Sequence, residues 1–275
     1  MSTTGMTVLG FVLVFIGTAA GAALVFFFKK DISPKFNTLF LGFAAGIMIA
    51  ASVWSLIIPS LEGAESYGEL AWLPAAIGIV VGGIFLTVLD KVVPHIHTGT
   101  NEVEGVPSKA AMSTKMFLAV TIHNIPEGLA AGVVFGAAAA TGGEEAFYGA
   151  LILSIGMAVQ NFPEGAAVAL PLRAATGSRF KAFLYGAGSG IVEPIFAVIG
   201  YFLTSYVEIL QPWLLAFAAG AMLFVVAEDL IPEAKLQEHP HLGTWGVVSG
   251  FVLMMILDVA LGLQNAACIS GRSIV

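Results

Sequence analysis

The hexapeptide His123-Asn124-Ile125-Pro126-Glu127-Gly128 returns 37 positions later as Gln160-Asn161-Phe162-Pro163-Glu164-Gly165, and each copy lies inside a long apolar run. Residues three and four apart share a face of a helix. His123 and Glu127 therefore project together, with Asn124 beside Glu127, and Gln160, Asn161 and Glu164 repeat that geometry. One imidazole, several amide oxygens and two carboxylates suit a borderline divalent cation such as Zn²⁺, Fe²⁺, Mn²⁺ or Cd²⁺. They argue against a thiolate-dependent Cu⁺ site. An ionised acid at the centre of a lipid-spanning helix costs roughly 2.5–3.5 kcal/mol, and a third glutamate, Glu193 of Glu193-Pro194, lies in another apolar run. A purely structural polar network fits Asn124 or Gln160 alone, since amides bond membrane helices together. It fits the full set poorly.

The residues around these ligands shape the helices that must hold them. Pro126 and Pro163 lack an N–H, and their rings press on the carbonyls of Ile122 and Val159, which predicts kinked helices with freed carbonyls. Irregular backbone at membrane depth is tolerated where it lines a cavity or is buried in protein. Gly128 and Gly165 follow the glutamates and let another helix approach closely. Gly186, Gly188, Ser189 and Gly190 lead into Glu193 in the same way. Further on, Glu228-Asp229 precedes Ile231-Pro232 and stands either as an exit-side cation station or as a solvated helix end. Asp90 reads as interfacial, and Asp258, deep in the last apolar run, has no evident partner. His95 with His97, and His239 with His241, form two His-x-His pairs in hydrophilic stretches, candidates for loop metal capture against simple solvation.

Composition sets the environment. Of 275 residues, 58% are hydrophobic and 11% charged, against roughly 25% charged in soluble domains; the mean hydropathy is +0.93. Apolar runs of spanning length fall near 5–28, 36–60, 72–90, 114–140, 146–172, 180–205, 212–231 and 244–268, which predicts an all-α polytopic membrane protein with eight spans in a single transmembrane domain. Residues 91–113 read as a mobile cytoplasmic loop. Ten of the eleven basic residues follow odd-numbered spans, and Arg272 alone lies on the other side. By the positive-inside rule both termini are expected to be extracytoplasmic, in a plasma (inner) membrane. The net charge of −7 gives no support to a nucleic-acid partner. The single cysteine, Cys268, excludes an intrachain disulfide framework and a thiolate metal cluster.

The paired motifs, the Glu-Pro on span six, the eight spans and the outward termini together resemble the ZIP (Zrt/Irt-like) family of divalent metal transporters. Gln-Asn-Phe-Pro-Glu-Gly on span five is similar to its GufA-type branch. The resemblance implies transport of Zn²⁺, with Fe²⁺, Mn²⁺, Cd²⁺ and Co²⁺ as further substrates, toward the cytoplasm. It implies metal ligands at His123, Asn124, Glu127, Gln160, Asn161, Glu164 and Glu193, and in relatives that hold two metals the glutamates matching Glu127 and Glu164 bridge them. It also implies a three-plus-two-plus-three helix arrangement, alternating access by an elevator-like slide of spans one, four, five and six, and a homodimer. No enzyme activity and no resident cofactor are implied; the metal is cargo.

Other functions use similar parts. A sodium/calcium-type exchanger pairs repeated Pro-Glu motifs on kinked helices, but its all-oxygen chemistry has no need of His123. An intramembrane metal hydrolase would hold metal on His and Glu, but no His-Glu-x-x-His occurs. A metal sensor without flux has the same ligands as a transporter, and flux alone separates them.

Overall fold

Ser2, Ser33 and Ser178 each accept a backbone N–H three residues ahead and so start three helices at Thr3, Pro34 and Arg179. Apolar sequence then carries each helix across a membrane thickness. The computed structural model describes residues 1–27, 33–96, 103–107, 112–141, 143–234 and 239–261. Among these residues eight helices are long and apolar enough to span: Thr3–Phe26, Pro34–Glu62, Trp72–Val92, Ser113–Ala140, Glu144–Arg173, Arg179–Tyr206, Gln211–Leu230 and His241–Ala260, here spans one to eight. The expected all-α polytopic architecture is therefore present. Beyond the helices, His95–Ile96 pairs antiparallel with Val103–Glu104 in a two-residue ladder. Gly105, just after the ladder, has φ +81, and a Cβ there would run into the Val93 carbonyl.

The spans depart from regular α-helix where the chemistry lies. Span six is broken at Gly190–Ile191 into Arg179–Ser189 and Val192–Tyr206, which places Glu193 in the first turn of the second half. Spans four and five stay helical through Pro126 and Pro163. Spans two, seven and eight instead contain wide π-turns at Ser52–Ile57, Val226–Leu230 and Leu257–Leu261, around Ser55, Asp229 and Asp258. In spans two and seven the π-turn is followed at once by Ile58-Pro59 and Ile231-Pro232. The proline ring would strike the carbonyl four residues back in a regular helix, and the wider turn relieves that contact.

Glycines pair the spans. A Cβ on Gly17, Gly21 or Gly165 would meet backbone across spans one and five, and one on Gly128, Gly132 or Gly200 would do so across spans four and six. Gly42, Gly46 and Gly250 make the same approach across spans two and eight, and Gly82 and Gly220 across spans three and seven. Close backbone contact of this kind packs helices where lipid offers no hydrophobic drive. The Ser60 hydroxyl, donating to the Pro212 carbonyl at 2.7 Å, ties span two to span seven. Gly186 against Ala22 ties span six to span one. Between the set one, four, five, six and the set two, three, seven, eight, Gly156 meets the flexible Met254 side chain rather than backbone. A shared apolar core that includes Met6, Leu153, Met157, Leu56, Met222 and Met254 joins both sets.

Candidate metal centre

Glu127, Glu164 and Glu193 are all buried, as are Asn124, Gln160 and Asn161, and His123 is nearly so. Three spans bring them together. Gly128 packs on the Glu193 backbone of span six, and Gly165 packs on the Thr18 backbone of span one. The glycine after each glutamate therefore sets the helix contact that positions the next polar group. Thr18 Oγ1 donates to Glu193 Oε1 at 2.7 Å, and Asn161 Nδ2 donates to the same oxygen at 3.1 Å. Asn161 Nδ2 also lies 3.4 Å from the Val14 carbonyl. On the other side, Gln160 Nε2 donates to Glu127 Oε1 at 3.1 Å, directly linking the two hexapeptides.

Several oxygens of this cluster are buried without a hydrogen-bond partner: Glu127 Oε2, Gln160 Oε1, Asn161 Oδ1 and Glu193 Oε2. Acceptors left bare in a low-dielectric interior are expensive unless a cation or proton meets them. The side chains are nevertheless not drawn in around one point. Among the described residues no three His, Cys, Asp or Glu side chains form a group that would hold a metal ion. The Gln160 amide N–H occupies Glu127, so coordination by both requires the amide to turn its oxygen inward.

Two acidic sites flank the cluster. His123 Nε2 lies 3.1 Å from Asp229 Oδ2 of span seven, so the expected exit-side residue Asp229 is buried against the site itself, whereas its neighbour Glu228 is exposed. Asp90 is buried, with His95 Nε2 at 3.8 Å from its Oδ1. The His95 ring is buried on the two-residue ladder, with Nδ1 at 2.8 Å from the Val93 carbonyl, rather than carried on an open loop. His97 lies outside the described residues, His239 is half-buried at the start of span eight, and His241 is exposed. Opposite these, a cavity of about 840 Å³ is lined by Trp54, Ser55, Glu62, Glu145, Gln211 and Asp258. Ser55 Oγ donates to Asp258 Oδ1 at 2.8 Å, which supplies the partner that sequence reading lacked.

Thr18 and Ser55 escaped sequence reading because a lone hydroxyl in an apolar helix most often bonds its own backbone, as Ser52, Thr87 and Thr121 do here. One signal was present in the chain. Phe43-Ala44-Ala45-Gly46-x-Met48 on span two recurs as Phe217-Ala218-Ala219-Gly220-x-Met222 on span seven, and both runs lead into the π-turns that carry Ser55 and Asp229.

Comparison with known proteins covers the same stretch of chain. The family profile described as ZIP Zinc transporter matches residues 104–258. Human "Zinc transporter ZIP11" is 36% identical over 323 residues, covering 89% of this chain and 94% of that protein. "Zinc transporter GufA" of Myxococcus xanthus is 39% identical over 251 residues, covering 90% and 96%. "Zinc transporter ZIPB" of Bordetella bronchiseptica is 38% identical over 261 residues, covering 94% and 82%. Matches of this length take in every span that contributes a carboxylate to the buried cluster, and the chain accordingly belongs to the ZIP zinc transporter family as a multi-pass membrane protein.

Proposed function

We propose that the protein moves divalent transition-metal cations, Zn²⁺ foremost, across the membrane toward the cytoplasm, with Cd²⁺, Fe²⁺, Mn²⁺ and Co²⁺ as further substrates. The observation that carries this is the buried set Glu127, Glu164 and Glu193 with unpartnered acceptor oxygens on Glu127, Gln160, Asn161 and Glu193. A structural network would satisfy those oxygens; a site that a cation visits leaves them for it. His123, Asn124, Glu127, Gln160, Asn161, Glu164 and Glu193 form the polar set around the path, with Glu127 and Glu164 as central ligands and His123 favouring borderline metals over Ca²⁺. Zinc transport in the names of the relatives supports the choice of Zn²⁺.

The path runs from the acidic cavity at Asp258, past the central cluster, to Asp229 and Asp90. The basic-residue distribution supports an outward cavity and a cytoplasmic Asp90 end, with both termini outside. Movement is by alternating access in which spans one, four, five and six slide as a body. Backbone seams inside each set, and the Gly156 to Met254 side-chain contact between them, support that division. The paired Phe-Ala-Ala-Gly-x-Met runs support inverted repeats of spans one to three and six to eight around spans four and five. Span three turns Ile77, Val81, Ile84 and Val88 outward, an apolar face that takes lipid or a second copy in a homodimer. Radiotracer uptake into proteoliposomes over Zn²⁺, Cd²⁺, Fe²⁺, Mn²⁺ and Ca²⁺ tests the function. Zn²⁺ uptake without a Na⁺ gradient supports it; metal binding with no flux, or flux of Ca²⁺ alone, contradicts it.

A further inference from the structure

We infer that the site carries one divalent ion at a time, and that Thr18 and Asn161 hold Glu193 in a hydrogen-bonded clasp where a second ion would sit. This rests on the proposed ligand set and deepens it. Two donors from different spans converge on Glu193 Oε1: the Thr18 hydroxyl at 2.7 Å and the Asn161 amide at 3.1 Å. The orientation of that amide is decided by its surroundings. Its nitrogen faces two acceptors, Glu193 Oε1 and the Val14 carbonyl at 3.4 Å, so turning it over would set an oxygen against two oxygens.

Gln160 differs. Its amide N–H donates to Glu127 at 3.1 Å, and its own oxygen is unpartnered. It can rotate to offer that oxygen to an ion, whereas Asn161 presents N–H dipoles toward Glu193 and repels a cation there. Backbone contacts fix the clasp in place. Gly165 lies under Thr18, Gly128 lies under Glu193, and a Cβ on Gly190 would come within 2.9 Å of the Thr18 Cβ.

Charge leads to the same count. The cluster holds three carboxylates, Glu127, Glu164 and Glu193. One dication offsets two of those charges, and the clasp stabilises the third. A second dication would have to take Glu193 through its bare Oε2, beside the Asn161 N–H that holds Oε1. Replacing Asn161 by aspartate removes the amide donor, sets two carboxylates side by side and creates the place for a second ion.

The test counts Zn²⁺ bound per chain in purified, micelle-embedded protein after free metal is removed. The count of a Glu127→Ala, Glu164→Ala double variant is subtracted, which cancels weak sites elsewhere. The expected difference is one ion for the wild type and two for Asn161→Asp. Two ions in the wild type, or no gain in Asn161→Asp, overturn the clasp. A difference of zero in the wild type overturns the ligand set beneath it, a separate failure. Cadmium-113 resonances of the wild type alone give a second reading: one that vanishes in Glu127→Ala supports the inference, and two overturn it.

Discussion

Glu127, buried with one oxygen on Gln160 and the other bare, is the residue on which the proposed transport turns. Its neighbour Gly128 is no less constrained, since a methyl group there would strike the Glu193 backbone. Gly128→Ala should destabilise the fold by about 1–3 kcal/mol through overpacking and should weaken metal binding by displacing Glu193. Thermal denaturation and a Zn²⁺ titration of the same variant check both effects. A second consequence concerns protons. Histidine and glutamate ligands bind metal only when deprotonated, so Zn²⁺ affinity should fall as pH is lowered. A dissociation constant that stays level on acidification would remove His123 and the glutamates from the coordination shell.

Among the elements, the clearest division is between glycine seams within each helix set and side-chain contact between the sets. Cysteines at 22 and 186, which face each other side chain to side chain inside one set, should cross-link without loss of uptake, whereas cysteines at 156 and 254, across the sets, should abolish uptake when cross-linked and release it on reduction. Cys268 is replaced beforehand so that the introduced pair reacts alone. Most of this framework could be read from the chain. The eight apolar runs and the Pro-Glu-Gly pair are local patterns, and they give the spans and the carboxylates directly. Kinks at Pro126 and Pro163 are the expectation; both prolines lie inside helices that run on without a break, and wide turns fall at Ser55, Asp229 and Asp258 as well. A proline signals strain, but tertiary packing decides which turn absorbs it. Thr18 was invisible for a similar reason: its bond to Glu193 joins residues 175 positions apart, and no local period records such a pair.

At the scale of the whole molecule, the proposed path sets carboxylates in series from the cavity at Asp258, through the buried cluster, to Asp229 and Asp90. A negative mouth raises local cation concentration and association rates by about tenfold or more. Asp258→Asn should therefore reduce uptake most at low Zn²⁺, with the count of ions at the central site unchanged; a uniform loss at all concentrations would place Asp258 in folding rather than capture. Proposed transport depends on the central carboxylates carrying metal through the membrane. The most direct measurement is Zn²⁺ uptake into proteoliposomes by the wild type and by Glu127→Ala at matched, correctly folded protein density. Uptake by the wild type and a fall to the protein-free background in the variant is the predicted result. Undiminished uptake by Glu127→Ala would contradict the account.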